Sequence, residues 1–117
     1  KNVKLDEFFR CVGGGYGEAK ARFQNDERIV RFLNMFPGDD SMQNLTNAMN
    51  TGDTTTAFRA VHTLKGVAQN LGFDGLYRAA FALTEEMRGG APLKNAALYD
   101  AVTQQQQIVL DAVRQLA

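Results

Sequence analysis

The 117-residue sequence predicts an all-α protein, an antiparallel up-and-down four-helix bundle with additional short N-terminal helices. Three observations carry that prediction. Apolar residues recur at 3.6-residue spacing along most of the chain. Val and Ile are few and scattered, and no stretch alternates apolar and polar residues between turn signals as a half-buried strand would. Gly, Pro and Asp interrupt the pattern at short intervals, and long amphipathic helices joined by short turns bury their stripes most simply as an up-and-down bundle.

Each element follows from its own stripe and stop signal. Leu5, Phe8, Phe9 and Val12 form the first apolar face, ended by Gly13, Gly14 and Gly15. A short helix is expected over about residues 16–23. Asp26 is placed to cap a third helix carrying Ile29, Val30, Leu33 and Phe36, which Pro37 and Gly38 break. Asp39 or Asp40 restarts the chain as a helix with Met42, Leu45 and Met49 on one side, stopping near Gly52. Asp53 caps the next, whose core spacing runs Phe58, Val61, Leu64 or Lys65, Ala68 and Leu71 before Gly72 ends it. Asp74 is the expected cap of a helix lined by Leu76, Ala80, Leu83 and Met87 and closed by Gly89, Gly90 and Pro92. The last helix, from Leu93 or Asn95 to Leu116, carries Leu98, Val102, Gln105, Val109 and Ala112, and the run from Gln104 to Gln107 sits inside its period. With no linker or repeat, residues 1–117 read as a single domain. The chain opens on Lys1 rather than Met, so a trimmed form or a piece of a longer protein is expected.

Composition removes several function classes. Thirteen basic side chains balance thirteen acidic ones, which leaves no electrostatic footprint for nucleic acid or an anionic membrane surface. No apolar run approaches the roughly 20 residues of a membrane span, and no signal peptide opens the chain, so a soluble, cytoplasmic protein without membrane insertion is expected, and a monomer because the apolar stripes all have somewhere to go within one chain. One Cys and one His supply neither a disulfide nor a tetrahedral zinc site. Ser41, the only Ser, lies in a break between helices, away from any nucleophile elbow. Nothing around Cys11 or His62 resembles a cysteine-protease signature. Gly13 to Gly17 lacks the preceding strand and the Gly-Lys-Ser/Thr of a phosphate loop, and reads as a flexible helix stop.

His62 remains. At 100° per residue it sits about 100° round from Val61, on the flank of the buried stripe, where its imidazole reaches solvent. Lys65, Gly66 and Gln69 follow on the same face at i+3, i+4 and i+7. A mid-helix glycine costs roughly 1 kcal/mol relative to Ala, so Gly66 asks for a reason, and close approach of another body beside His62 is one. By themselves these residues fit equally well a surface histidine beside a tolerated glycine.

The run His62, Thr63, Leu64, Lys65, Gly66, continuing to Leu71, Gly72 and Phe73, resembles the signature of histidine-containing phosphotransfer (HPt) domains of bacterial two-component phosphorelays. The resemblance extends upstream through Asn50 to Val61, downstream from Leu76 to Arg88, and more weakly over Leu5 to Gly15. The Pro37–Gly38 break departs from the many members in which one helix runs on.

The resemblance implies that His62 accepts a phosphoryl group from a receiver-domain aspartyl phosphate and passes it on. A neutral imidazole has the lone pair to attack phosphorus, and such transfer depends mainly on alignment and charge neutralisation. Lys65 would neutralise phosphoryl oxygens. Gly66 would leave the surface bare for docking, with Gln69 as a hydrogen-bonding neighbour. Thr84, expected beside Leu83 at the level of His62, stands where relatives carry a Gln or Glu that fixes the imidazole. Tyr77 and Phe81 would add an apolar docking patch, the alternative being aromatics at the edge of the core. The partners implied are response-regulator receiver domains and a hybrid sensor histidine kinase. The protein would be a phosphocarrier without kinase activity or a cofactor of its own, the receiver bringing Mg2+. A helical interaction or dimerisation module that carries no phosphate is the competing reading. A histidine-kinase fragment fits poorly, since no nucleotide-binding motif is present.

Overall fold

The computed structural model describes residues 4–116; residues 1–3 and 117, the two ends of the expected 1–117 domain, lie outside the described residues. Its elements are α1 (Leu5–Cys11), α2 (Tyr16–Phe23), α3 (Asp26–Met35), a 3₁₀ turn over Phe36–Gly38, α4 (Ser41–Thr51), α5 (Thr54–Leu71), α6 (Asp74–Glu86), a second 3₁₀ turn over Arg88–Gly90, and α7 (Ala96–Arg114). No β-strand occurs among the described residues. The four long helices α4 to α7 form the bundle, with α5 packed between α4 and α6, α6 against α7, and α1 laid on α7.

The turns form for local reasons. Gly52 and Gly72 adopt the left-handed conformation at φ 75° and 81°, which a residue with a Cβ rarely adopts. The residue after each then donates its N–H back to the helix: Asp53 to the Ala48 carbonyl and Phe73 to the Ala68 carbonyl, both at 2.9 Å. Asp53 goes on to cap α5 as expected, its Oδ1 accepting from the Thr56 N–H at 3.1 Å and its Oδ2 from the Thr56 hydroxyl at 2.7 Å. Asp39 accepts from the Ser41 N–H at 3.0 Å as α4 begins.

Two expected caps are corrected. Asn25, not Asp26, caps α3, its Oδ1 accepting from the Arg28 N–H at 2.9 Å. Asp26 instead joins the first turn and accepts a hydrogen bond from the Tyr16 hydroxyl and an ion pair from Lys20. Those bonds hold its carboxyl below the usual range, with Tyr16 contributing most. At α6 the cap position is Phe73 and Asp74 is already helical. Phe73 is fully buried edge-on to Phe8 and Phe36, and sinking that ring brings the helix start one residue earlier.

One continuous core gathers side chains from every part of the chain, including Phe8, Phe9, Val12, Ile29, Leu33 and Phe36 from the N-terminal third. On α5 the alternatives resolve in favour of Leu64, which is fully buried, while Lys65 turns outward. Phe58 is only half-buried, and Ala57 and Ala60 carry the core at that end. On α7, Val102, Val109, Ala112 and Val113 are buried, and Gln105 is half-buried where it covers Gly75.

Candidate functional site

The buried residues of α5, Ala57, Ala60, Val61, Leu64, Ala68 and Leu71, define the direction of the core. On a helical projection the opposite, outermost line passes through Gly66, with His62 about 40° to one side of it. His62 and Gly66 are both exposed, and a Cβ built on Gly66 would meet nothing within 4 Å. The glycine is therefore not there to let two helices approach. Arg59, Thr63, Gln69 and Asn70 complete the exposed face.

On one side this strip meets α6. Lys65 Nζ lies 5.4 Å from the centre of the Phe81 ring, and the Arg88 guanidinium 5.8 Å from that of Phe58. These two cross-helix contacts mark the antiparallel register, in which His62 stands level with the step from Thr84 to Glu85. The imidazole lies one turn from Phe58, with ring centres 6.0 Å apart, and Tyr77 and Phe81 are likewise 6.0 Å apart. Phe81 is 44% exposed, which makes it surface rather than edge of core; Tyr77 is half-buried against the core.

Thr84 is a correction. Its side chain is fully buried and its hydroxyl donates to the Ala80 carbonyl at 2.7 Å, so it neither lines a docking surface nor reaches the imidazole. Position 84 lies on the inward face of α6, and a short hydroxyl satisfied by its own helix can be buried there where a Gln or Glu could not. The outward group at this level is Glu85, ion-paired to Arg88. Hydrogen bonding from Arg88 holds the Glu85 carboxyl below the usual range, and the charge of Lys65 adds to the effect.

The structure thus brings together His62, Lys65, Gly66, Gln69, Tyr77 and Phe81 on one face of the α5–α6 pair and leaves Thr84 out. Sequence reasoning missed Phe58, Glu85 and Arg88 as neighbours of that face. The i, i+4 spacing from Phe58 to His62 and the i, i+3 spacing from Glu85 to Arg88 were the available signals. Among the described residues no group of His, Cys, Asp or Glu is placed to hold a metal ion, and no described helix is long and apolar enough to cross a membrane.

A family model, the Hpt domain, matches residues 37–116, about two thirds of the chain. The chain belongs to the Hpt domain family. No curated protein and no solved structure gives a significant match. The match starts at the Pro37–Gly38 break and takes in α4 to α7, so this Hpt domain carries the exposed His62 strip wholly within the family region, while α1, α2 and α3 precede it. Hpt domains are phosphocarriers rather than kinases, and the role of this one lies in histidine phosphotransfer within phosphorelays.

Proposed function

We propose that His62 is the phosphoacceptor, taking its phosphoryl group from an aspartyl phosphate on a response-regulator receiver domain. The observation that carries this reading is the exposed imidazole beside a mid-helix glycine with open space above it. A ring nitrogen of His62 attacks phosphorus; the new P–N bond forms as the P–O bond to the aspartate breaks, and the carboxylate leaves with the electron pair. The phosphoimidazole can then pass the group to a second receiver by the same step reversed.

The domain's own contribution is positioning and charge. Lys65, held out over Phe81, supplies a cation one turn from the imidazole to neutralise phosphoryl oxygens as charge spreads over them. Gly66 lets the receiver approach the helix backbone, Gln69 offers an amide one turn further on, and Tyr77 with Phe81 forms an apolar shoulder. The receiver brings Mg2+ and its own acidic pocket. We take the chain to act as a cytoplasmic monomer, a single unit over 1–117 whose N-terminal helices share the bundle core, with receivers and a hybrid sensor kinase as partners.

The test is incubation with phosphorylated receiver domains, followed by assay for acid-labile, base-stable phosphate on this chain. Label that depends on His62 is the expected result. Labelling from ATP and Mg2+ alone would make the protein a kinase, and receiver binding without label would make it an interaction module.

A further inference from the structure

Three large apolar side chains stand exposed among the described residues: Phe32 at 37%, Met35 at 62% and Phe81 at 44%. They are not scattered. Phe81 sits against Lys65 on one side of the α5 strip. Phe32 and Met35, on α3, border a groove on the other side, together with Phe36, Asp39, Val67 and Leu71. Lys65 and Val67 flank Gly66 in the chain and lie about 100° to either side of it round the helix. Bare Gly66 is thus the crest between two apolar shoulders. The α3 shoulder is built rather than loose: Phe32 stacks on Phe23 of α2 with ring centres 4.9 Å apart, and the Arg22 guanidinium donates to the Asn70 carbonyl at 2.8 Å, tying α2 to the C-terminal end of α5.

We propose that Phe32 and Met35 form a second docking ledge for the receiver domain, one that selects among receivers by the apolar side chains they present to it. The proposal rests on the phosphoacceptor reading of His62. Its occupant follows from size and continuity. A specific protein interface buries about 800 Å² on each partner, a patch roughly 30 Å across, whereas a helix with its side chains is only about 10–12 Å wide. A receiver centred on His62 and Gly66 therefore overhangs α5 on both sides and covers Phe81 on one flank and the ledge on the other. Phe and Met are the side chains that interface centres favour. Because α3 lies before residue 37, Phe32 and Met35 are supplied by a segment outside the family match, while the His62 strip lies within it.

The experiment measures transfer from a phosphorylated receiver to the wild-type chain and to Phe32→Gln/Met35→Gln, with KM and kcat determined separately. The expected result is a KM raised about tenfold with kcat within about twofold and an unchanged lifetime of phosphorylated His62, because truncating interface anchors weakens docking and leaves the chemistry alone. If the double variant loses its helical circular dichroism, Met35→Gln alone carries the test, with a smaller rise in KM expected. An unchanged KM, with phosphate still arriving on His62, overturns the ledge and leaves the phosphoacceptor reading standing. An unchanged KM together with a wild-type dimer that the substitutions dissociate assigns the ledge to a second copy and equally overturns it. A wild-type chain that takes no phosphate from any receiver removes both.

Discussion

Glycine occupies two regions of this domain for opposite reasons. At Gly66, in the middle of α5, an added Cβ would meet nothing within 4 Å. Where the turn after α1 meets the turn between α5 and α6, a Cβ on Gly14 would collide with the Gly72 carbonyl oxygen, and one on Gly75 with the Gln105 side chain. There the Gly75 N–H donates to the Val12 carbonyl at 3.0 Å and the Gly14 N–H to the Phe9 carbonyl at 2.8 Å. The triple glycine is more than the flexible stop its sequence suggests, because Gly14 is a packing residue between two turns. Gly66, in ordinary helical backbone with open space above it, is required neither by packing nor by its φ, whereas Gly14, with backbone in its face, is required by the fold.

The largest effect separates chemistry from stability within the open region. His62→Gln is expected to abolish phosphate acceptance while leaving the thermal melt and helical circular dichroism unchanged, since the imidazole is exposed. Phosphate still accepted by that variant would move the site elsewhere. In the packed region, Gly14→Ala is expected to destabilise the domain at the upper end of the range of about 1–3 kcal/mol that overpacking costs, because the obstacle is backbone and cannot swing away. Denaturant unfolding reads this directly. Gly75→Ala should cost less, as the Gln105 side chain can move.

Lys65→Ala tests the charge beside the imidazole. One charge-assisted contact is worth about 1.5–3 kcal/mol, so single-turnover transfer should slow by roughly 10- to 100-fold without being lost. Kinetics identical to wild type would make Lys65 a solvated surface charge resting on Phe81. The smallest effect is Gly66→Ala, expected to raise stability by up to about 1 kcal/mol, since the position is ordinary helix and the methyl enters open space. A fall in stability there would erase the distinction from Gly14.

Periodicity made the helices legible, and the left-handed glycines at 52 and 72 ended α4 and α5 where the sequence has them end. The exposure of His62 followed from its angle to Val61, and the outward Lys65 from the same wheel once Leu64 took the core position. Contacts between elements were not legible. The burial of Phe73, which displaced Asp74 from its cap, depends on Phe8 and Phe36 meeting it from far along the chain. Likewise, nothing local to the run of glycines at 13–15 announces that Gly72 approaches Gly14. The inward turn of Thr84 was legible, since it stands four residues after Ala80 on the line of Leu76, Ala80 and Leu83, and reading it as a partner of the imidazole passed over that spacing.

The most direct measurement places a large side chain in the open space itself. Gly66→Gln, examined for receiver docking, phosphate transfer and thermal unfolding on one preparation, should fold with stability equal to or above wild type, since Gln is a good helix former and meets no neighbour there. Its receiver affinity and transfer rate should nevertheless fall by about tenfold or more, because the side chain stands where the partner must approach the backbone beside His62. Unfolding of this variant would make Gly66 a packing glycine like Gly14, and normal transfer would show that the partner does not sit beside His62; either result contradicts the account.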